Sequence, residues 1–458
     1  MIVPRLEKQM GIEVYGTRSP GIGGEIRRSF EDFVVEELLV DGSKASVAKP
    51  AMQSVLGSSS AKNRFLLCIL VKRNWDTISA VKAVADQLAI GTSQVQFAGL
   101  KDTRAITAQH ITIEGAAADE VSRGKVKDIE LRPVGYVRSG LSQFYLLGNS
   151  FRLRISGISH SESTVRRRIN RVIEEASQLG GFPNFFGHQR FGTTRPITHL
   201  VGQALVKGDF KKAAMLFLAR PSPTEHPDSR RARQALQVTR DFNKALKGYP
   251  KQLRFERLML RHLAVKPDDY VEAFRRLPPR LLELFPQAYQ SHLFNRVLSR
   301  RLMHGFRLNT AEVGDIALNV ERSGLPMLTM HKVVDNENIA EVNRGIEAGK
   351  MRLAIALIGY KHKHTIGTQG KIENEILEEE NVTPRDFKVK AVPEISLRGN
   401  LRTATIALNN FDSKEITADV ANRTELAANL TFTLNKGSYA TIVLRELMKP
   451  RNLRKAGF

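Results

Sequence analysis

Apolar positions along the chain follow two rhythms, and each predicts a different backbone. Phe33, Val34 and Val35, after the polar turn IRRSFED, predict a short strand, and Asp41–Asn63, rich in Ser, Ala, Gly and Lys around Pro50, predicts a long loop. Phe65–Val71 is an unbroken apolar run closed by Lys72 and Arg73. It has the length of a strand covered on both faces, with Cys68 as a small core residue inside it. Ile78, Val81, Val84 and Leu88 recur at helical spacing behind the capping residue Asp76, so Thr77–Leu88 reads as a helix. Val95 with Phe97, Ile106–Ile113, Ile129–Tyr136 and Phe151–Ile155 read as strands. In the last, Phe151, Leu153 and Ile155 alternate with Arg152 and Arg154, which predicts one buried and one basic face. Ser161–Gln178 is an amphipathic helix with Val165, Ile169, Val172, Ile173 and Ala176 as its stripe.

From about Pro196 the helical rhythm takes over, in Leu200–Leu218, Arg231–Leu246, Leu253–Leu263, Tyr270–Arg276 and Tyr289–Met303. Ala317–Met330 and Leu353–Gly359 read as strand, Asn338–Glu347 and Ile372–Glu380 as helix, the latter stopping near Pro384. Strands return with Arg402–Leu408, and Leu430–Leu434 with Tyr439–Leu444 reads as a hairpin across Asn435-Lys436-Gly437. No internal repeat is visible. The expected organisation is an α/β (α+β) fold. A strand-rich module is made from residues 1–195 and 377–458, and a mostly helical domain, residues 196–376, is inserted into it.

Composition narrows the setting. A single cysteine excludes an intramolecular disulfide and a Cys-based zinc site, and points to a reducing compartment, the cytoplasm. No apolar stretch approaches the roughly 18 residues of a membrane span, and MIVPRLEKQMGIEV lacks the apolar run of a signal peptide. A soluble protein without membrane contact is expected. Lys and Arg number 70 against 47 Asp and Glu, a formal net charge of +23. That excess suits a polyanion partner or a solvated positive face. It is spread along the chain, with local clusters at Arg166, Arg167, Arg168 and Arg171 and at Arg445, Lys449, Arg451, Arg454 and Lys455. Composition does not choose between RNA and DNA, and the sequence has no helix-turn-helix or zinc-finger pattern.

The familiar catalytic signatures, a Walker loop, GxSxG, HExxH and CxxC, are absent from the sequence. His362 and His364 in KHKH have no carboxylate or thiol at ligand spacing and read as part of a basic loop. Two segments stand out. In Phe97–Thr107, Gly99 loosens the backbone and the carboxylate of Asp102 stands between Lys101 and Arg104. Flanking cations favour the ionised form, which suits a nucleophile; the alternative is a turn aspartate satisfied by backbone amides. In Pro183–Gly192, paired aromatics, an amide and a cation lie together, which suits a pocket for an unstacked base; the alternative is that the phenylalanines pack a core.

Five segments, in order, carry a resemblance: FEDFVVEE (Phe30–Glu37), FAGLKDTRAITAQ (Phe97–Gln109), PNFFGHQRFG (Pro183–Gly192), AYQSHLFNRVL (Ala288–Leu298) and GSYATIVLREL (Gly437–Leu447). On these the chain resembles the TruD family of tRNA pseudouridine synthases in its archaeal form. The resemblance implies isomerisation of uridine to pseudouridine in tRNA, typically at position 13 in the D arm. The implied fold is the pseudouridine synthase catalytic domain, a twisted mixed, mainly antiparallel sheet flanked by helices, interrupted by an inserted TRUD domain. Asp102 would be the catalytic carboxylate, attacking the ribose C1′ or standing by while uracil leaves by elimination. Phe33 aligns with a substrate-contacting residue. Arg27 stands where a basic residue pairs with the aspartate or a phosphate. Asn184 and Phe186 align with a base-binding amide and a stacking aromatic, and Tyr439 with a position often Phe in bacterial members. Phe185 stands where Tyr is common. The partner implied is tRNA, with no protein partner. No metal, nucleotide or redox cofactor is implied, because the rearrangement is net-neutral. Phosphate contacts from both module and insertion are expected, with binding that weakens as salt rises.

Overall fold

A computed structural model of the chain describes residues 2–48, 55–192, 194–363 and 365–458. Pro50, in the expected long loop, and His364 lie outside the described residues. By internal contacts the chain forms two units. The sheet unit comprises Thr17–Phe182, Glu321–Leu325 and Ile406–Phe458; the helical unit comprises Met1–Gly16, Pro183–Val320 and Pro326–Thr405.

The strands of the sheet unit are β1 (Phe33–Leu39), β2 (Phe65–Arg73), β3 (Val95–Phe97), β4 (Ile106–Glu114), β5 (Ile129–Val137), β6 (Leu146–Ile158), β7 (Asn409–Asp412), β8 (Ile416–Ala418) and β9 (Leu426–Asn435). They form one sheet in the order β7-β9-β6-β1-β4-β2-β5, with β3 on β4 and β8 on β9. Only β1 and β4 run parallel among these pairs, with Val34 opposite Ile106. The sheet is therefore mixed and mainly antiparallel. Parallel neighbours need a long connection, and here it carries β2, β3 and the helix Thr77–Gln87.

The continuous apolar run of β2 is covered on both faces, as its pattern predicts. Leu66, Cys68 and Leu70 pack with Val81 and Val84 of that helix, while Leu67 joins Leu39 and Leu141 on the opposite side. Asp76 caps the helix by accepting from the Ser79 N–H at 2.9 Å. In β6, Phe151, Leu153 and Ile155 are buried and Arg152 is exposed. The stripe of helix Glu162–Gln178, namely Val165, Ile169, Val172 and Ala176, is buried too.

The C-terminal hairpin expected across Asn435–Gly437 does not form. Tyr439–Leu444 is read as strand from Thr441, Ile442 and Val443, yet Ala440–Met448 is a helix. Gly437 turns the chain at φ 88°. Every residue of the helix is buried, so packing on all sides overrides a weak β preference. Of the expected C-terminal basic cluster, Arg445 is buried and Lys449 half-buried. The Arg445 Nη1 donates to Glu446 Oε1 at 2.7 Å, and the Lys449 Nζ donates to the Thr17 carbonyl and hydroxyl at 2.9 and 2.7 Å.

In the helical unit, the expected helix Leu200–Leu218 is two, Thr198–Val206 and Phe210–Ala219. Gly208 at φ 76° breaks them, and Asp209 caps the second by accepting from the Lys212 N–H. The helices Pro227–Thr239, Arg254–Val265 and Pro279–Met303 complete a core of Leu205, Leu218, Leu260, Leu263, Phe274 and Phe285. Beside it, the strands Asn400–Thr403, Met351–Leu357, Ile316–Val320 and Pro326–Val333 make an antiparallel sheet in that order.

The change of rhythm marks 195/196 and 376/377, whereas packing divides the chain at 182/183 and 405/406. The Phe186 N–H donates to Asn295 Oδ1 on the long helix, and Leu401 pairs with Ala356, so both flanking segments stay with the helical unit.

Helix Thr198–Val206 meets the long helix at Gly202. A Cβ there would come within 1.9 Å of the Phe285 carbonyl oxygen, in a turn already stiffened by Pro286. Gly202→Ala is expected to cost roughly 2–3 kcal/mol, read as a lower urea midpoint with an unchanged slope.

Candidate active site

Buried and half-buried hydrogen bonds fix the loop between β3 and β4. The Lys101 ammonium donates to Glu37 Oε1 at 2.6 Å, and the same carboxylate accepts from the His110 N–H at 2.9 Å. The Lys101 N–H donates to the Thr77 hydroxyl at 3.0 Å. The Gln109 amide donates to the Gly99 carbonyl at 3.0 Å, and the Lys72 ammonium donates to the Asp102 carbonyl at 2.9 Å and to that of Trp75. Burial opposes ionisation of Glu37, but Lys101 and His110 outweigh it and hold its pKa below the ordinary value. The sequence reading takes Lys101 as a cation beside Asp102. The structure corrects this, since its side chain turns inward to Glu37.

Asp102 leaves the other side of the loop with its side chain 31% exposed. Its cation is Arg27, whose Nη2 lies 3.4 Å from Asp102 Oδ1 while its side chain is only 8% exposed. Arg27 adopts φ 61°, an uncommon conformation for a residue with a Cβ. Its Nη1 donates to the Gly457 carbonyl at 3.1 Å, and its guanidinium carbon lies 3.9 Å above the Phe33 ring. Burial lowers the Arg27 pKa, with Asp102 pulling it back up. Phe33 is buried and meets Phe151 edge-on at 6.4 Å. The parallel pairing of Val34 with Ile106 brings β1 beside the strand that follows Asp102. The structure thus brings together Asp102, Arg27 and Phe33, three residues singled out in the sequence.

Tyr439 belongs to the same unit, half-buried at the residue before the helix Ala440–Met448. Asn184 and Phe186 lie together in the helical unit, both buried. Asn184 Nδ2 donates to the Thr403 carbonyl and hydroxyl, each at 3.1 Å, and its Oδ1 accepts from Arg402 Nη2 at 2.7 Å. The Arg402 guanidinium carbon lies 4.0 Å over the Phe186 ring. Phe185 and Phe191 of Pro183–Gly192 are core, and Asn184 and Phe186, also buried, form a cluster with the Arg402 cation.

A scan against protein families matches residues 9–447 to the model for tRNA pseudouridine synthase D (TruD). The proteins named tRNA pseudouridine synthase D from Methanosarcina barkeri and Pyrococcus abyssi are 37% and 36% identical, covering 98% and 95% of this chain and 98% of each relative. The crystal structure of the tRNA pseudouridine synthase D protein of Methanosarcina mazei matches with a TM-score of 0.83 at 37% identity, covering 98% of this chain and 99% of that one. The chain belongs to the TruD family. Its mixed α/β fold is that family's.

The sequence reading misses two cations that the structure places, Lys72 at the Asp102 carbonyl and, in the helical unit, Arg402 against Asn184 and Phe186. Lys72 continues the inward side of β2 after Leu66, Cys68 and Leu70, so the alternation itself marks it as buried. Arg402 has no such signal, because its partners come from a distant segment. Among the described residues no group of three His, Cys, Asp or Glu side chains is placed to hold a metal ion, and no helix is long and apolar enough to cross a membrane. His362 lies 3.2 Å from Glu373, a carboxylate that local spacing does not show.

Burial pushes the Lys72 pKa down to about 8, against the pull of Asp102 and Asp76, and pushes Lys449 to about 8 against Glu446 and Glu175. A lowered folded-state value means that the unfolded chain binds more protons between about 8 and 10.5. The contribution of each lysine to unfolding free energy therefore rises with pH across that window. Lys72→Met is expected to flatten that rise, measured by denaturant titrations at intervals across it against wild type. An unchanged pH dependence would refute the desolvated ammonium.

Proposed function

We propose that the protein converts uridine to pseudouridine at position 13, in the D arm of tRNA, with Asp102 as nucleophile. Family membership makes it a pseudouridine synthase, an isomerase; the position and the nucleophile are our reading. The observation that carries it is the pairing of a partly exposed Asp102 carboxylate with the largely buried Arg27 guanidinium. A guanidinium at that range orients the carboxylate while leaving it open to a substrate, as a nucleophile must be.

The target uridine leaves its stack and presents its ribose to Asp102. The N1–C1′ bond breaks, either by attack of the carboxylate on C1′ or by elimination. Uracil then turns and a C5–C1′ bond forms, which breaks the carboxylate–C1′ bond on the first route and returns the lost sugar proton on the second. C5 gives up its proton and N1 gains one, so atoms and charge balance without a cofactor. Phe33 holds Arg27 over the site and bounds the substrate, and Tyr439 contributes a further polar contact. Asn184 and Phe186, with Arg402, serve base recognition: a planar ring, an amide and a cation are the parts an unstacked base needs. The residues around Asp102 form the catalytic domain and the helical insertion the TRUD domain. The setting is the cytoplasm, with tRNA as the partner.

Incubating pure protein with tRNA and mapping pseudouridines is expected to give a product at position 13. Asp102→Asn is expected to abolish it while tRNA affinity changes little. Product from the variant would sink the nucleophile, and product at another uridine would sink the position alone. Affinity is also expected to fall steeply with salt.

A further inference from the structure

Next to Asp102 the sheet unit has a hollow of about 490 Å³ that no step above uses. Arg27, Arg28, Arg73 and Arg104 line it, with Asn74 and Glu31. Two of these, Arg27 at φ 61° and Asn74 at φ 57°, hold left-handed backbone, and the Asn74 N–H donates to the Ala105 carbonyl at 3.2 Å. The rim is thereby tied to the loop that carries both Asp102 and Arg104.

The counter-ions are unevenly shared. Arg27 is met by Asp102, Arg28 by Glu25 and by Asp419 at 2.7 Å, and Arg73 by Glu31. The Glu31 charge is thus already taken up by Arg73. Arg104 is exposed and makes no hydrogen bond or ion pair among the described residues. A hollow with four guanidinium groups, one of them unmatched, suits an anion presenting several oxygens at once. In RNA that anion recurs at every nucleotide, and C1′ is only a few bonds from the phosphodiesters on either side.

We propose that this hollow holds a phosphodiester adjoining the target uridine, gripped by Arg104. The proposal rests on the reading that Asp102 faces the target ribose. It adds a register: once the phosphate is seated, only the neighbouring nucleotide can reach the carboxylate. Arg104 is a binding residue here and takes no part in the bond changes.

The test uses tRNAs with one neutral methylphosphonate linkage, placed either 5′ or 3′ of the target uridine. One of the two is expected to raise KM about tenfold for the wild type, and Arg104→Gln to raise it about tenfold on unmodified tRNA, the scale of one charged contact. Combined, the two changes are expected to cost no more than either alone, with Arg104→Lys recovering part of the loss. The salt slope of binding is expected to shrink by about one for Arg104→Gln. Additive losses, or no effect of either linkage, would overturn the proposal. Repeating the cycle as tRNA binding by Asp102→Asn separates the two readings. Coupling that persists there supports the phosphate site whatever the nucleophile is, and its absence there sinks the site while leaving Asp102 untouched.

Discussion

The ion pair between Lys101 and Glu37 is the constraint on which the rest of the site depends. Both side chains are almost fully buried, and taking two charges out of water costs several kcal/mol each before their attraction returns it. The pair is sustained because Glu37 also accepts from the His110 backbone, so its second oxygen is not left bare. Glu37 shares an inward face of β1 with Phe33 and Val35. Drawing Lys101 down to that strand anchors the loop one residue before Asp102. Lys101 is thereby buried, while the next side chain, that of Asp102, stays partly exposed.

A second layer of order comes from charge held without carboxylates. The Lys72 ammonium is bonded to carbonyl oxygens, one of them that of Asp102. Arg27 rests on an aromatic face and a C-terminal carbonyl as well as on Asp102. Such partners orient a cation while leaving its field available to the carboxylate nearby. Not every basic residue behind the formal charge of +23 stands at the surface. Arg233, Arg301 and Arg445 are all buried and paired with acids inside the protein, with Arg301 meeting Asp315 at 2.7 Å through both nitrogens. The unmatched guanidinium of Arg104 is more informative than any count.

Much of the fold is legible in the chain because its signals are local. The two-sided burial of β2, the cap at Asp76 and the alternation in β6 each follow from neighbours within a few residues. Failures occur where distant packing decides. Ala440–Met448 carries β-branched residues yet is helical because it is enclosed on all sides. Lys101 sits beside Asp102 in sequence but spends its charge on a strand 64 positions earlier. The site divides in the same way. Asp102, Arg27 and Phe33 are recoverable from motif resemblance, whereas Arg402 and the Arg104 hollow depend on chain crossings that no local pattern records.

The lone thiol of Cys68 lies sealed within β2, and burial raises its pKa, so it stays protonated and unreactive. A cysteine introduced at an exposed position would then be the single accessible thiol on the molecule. Fluorophores or spin labels can be placed one or two at a time without first removing a native sulfur. The packing of one strand thus opens the protein to distance measurements in solution while RNA is bound and released.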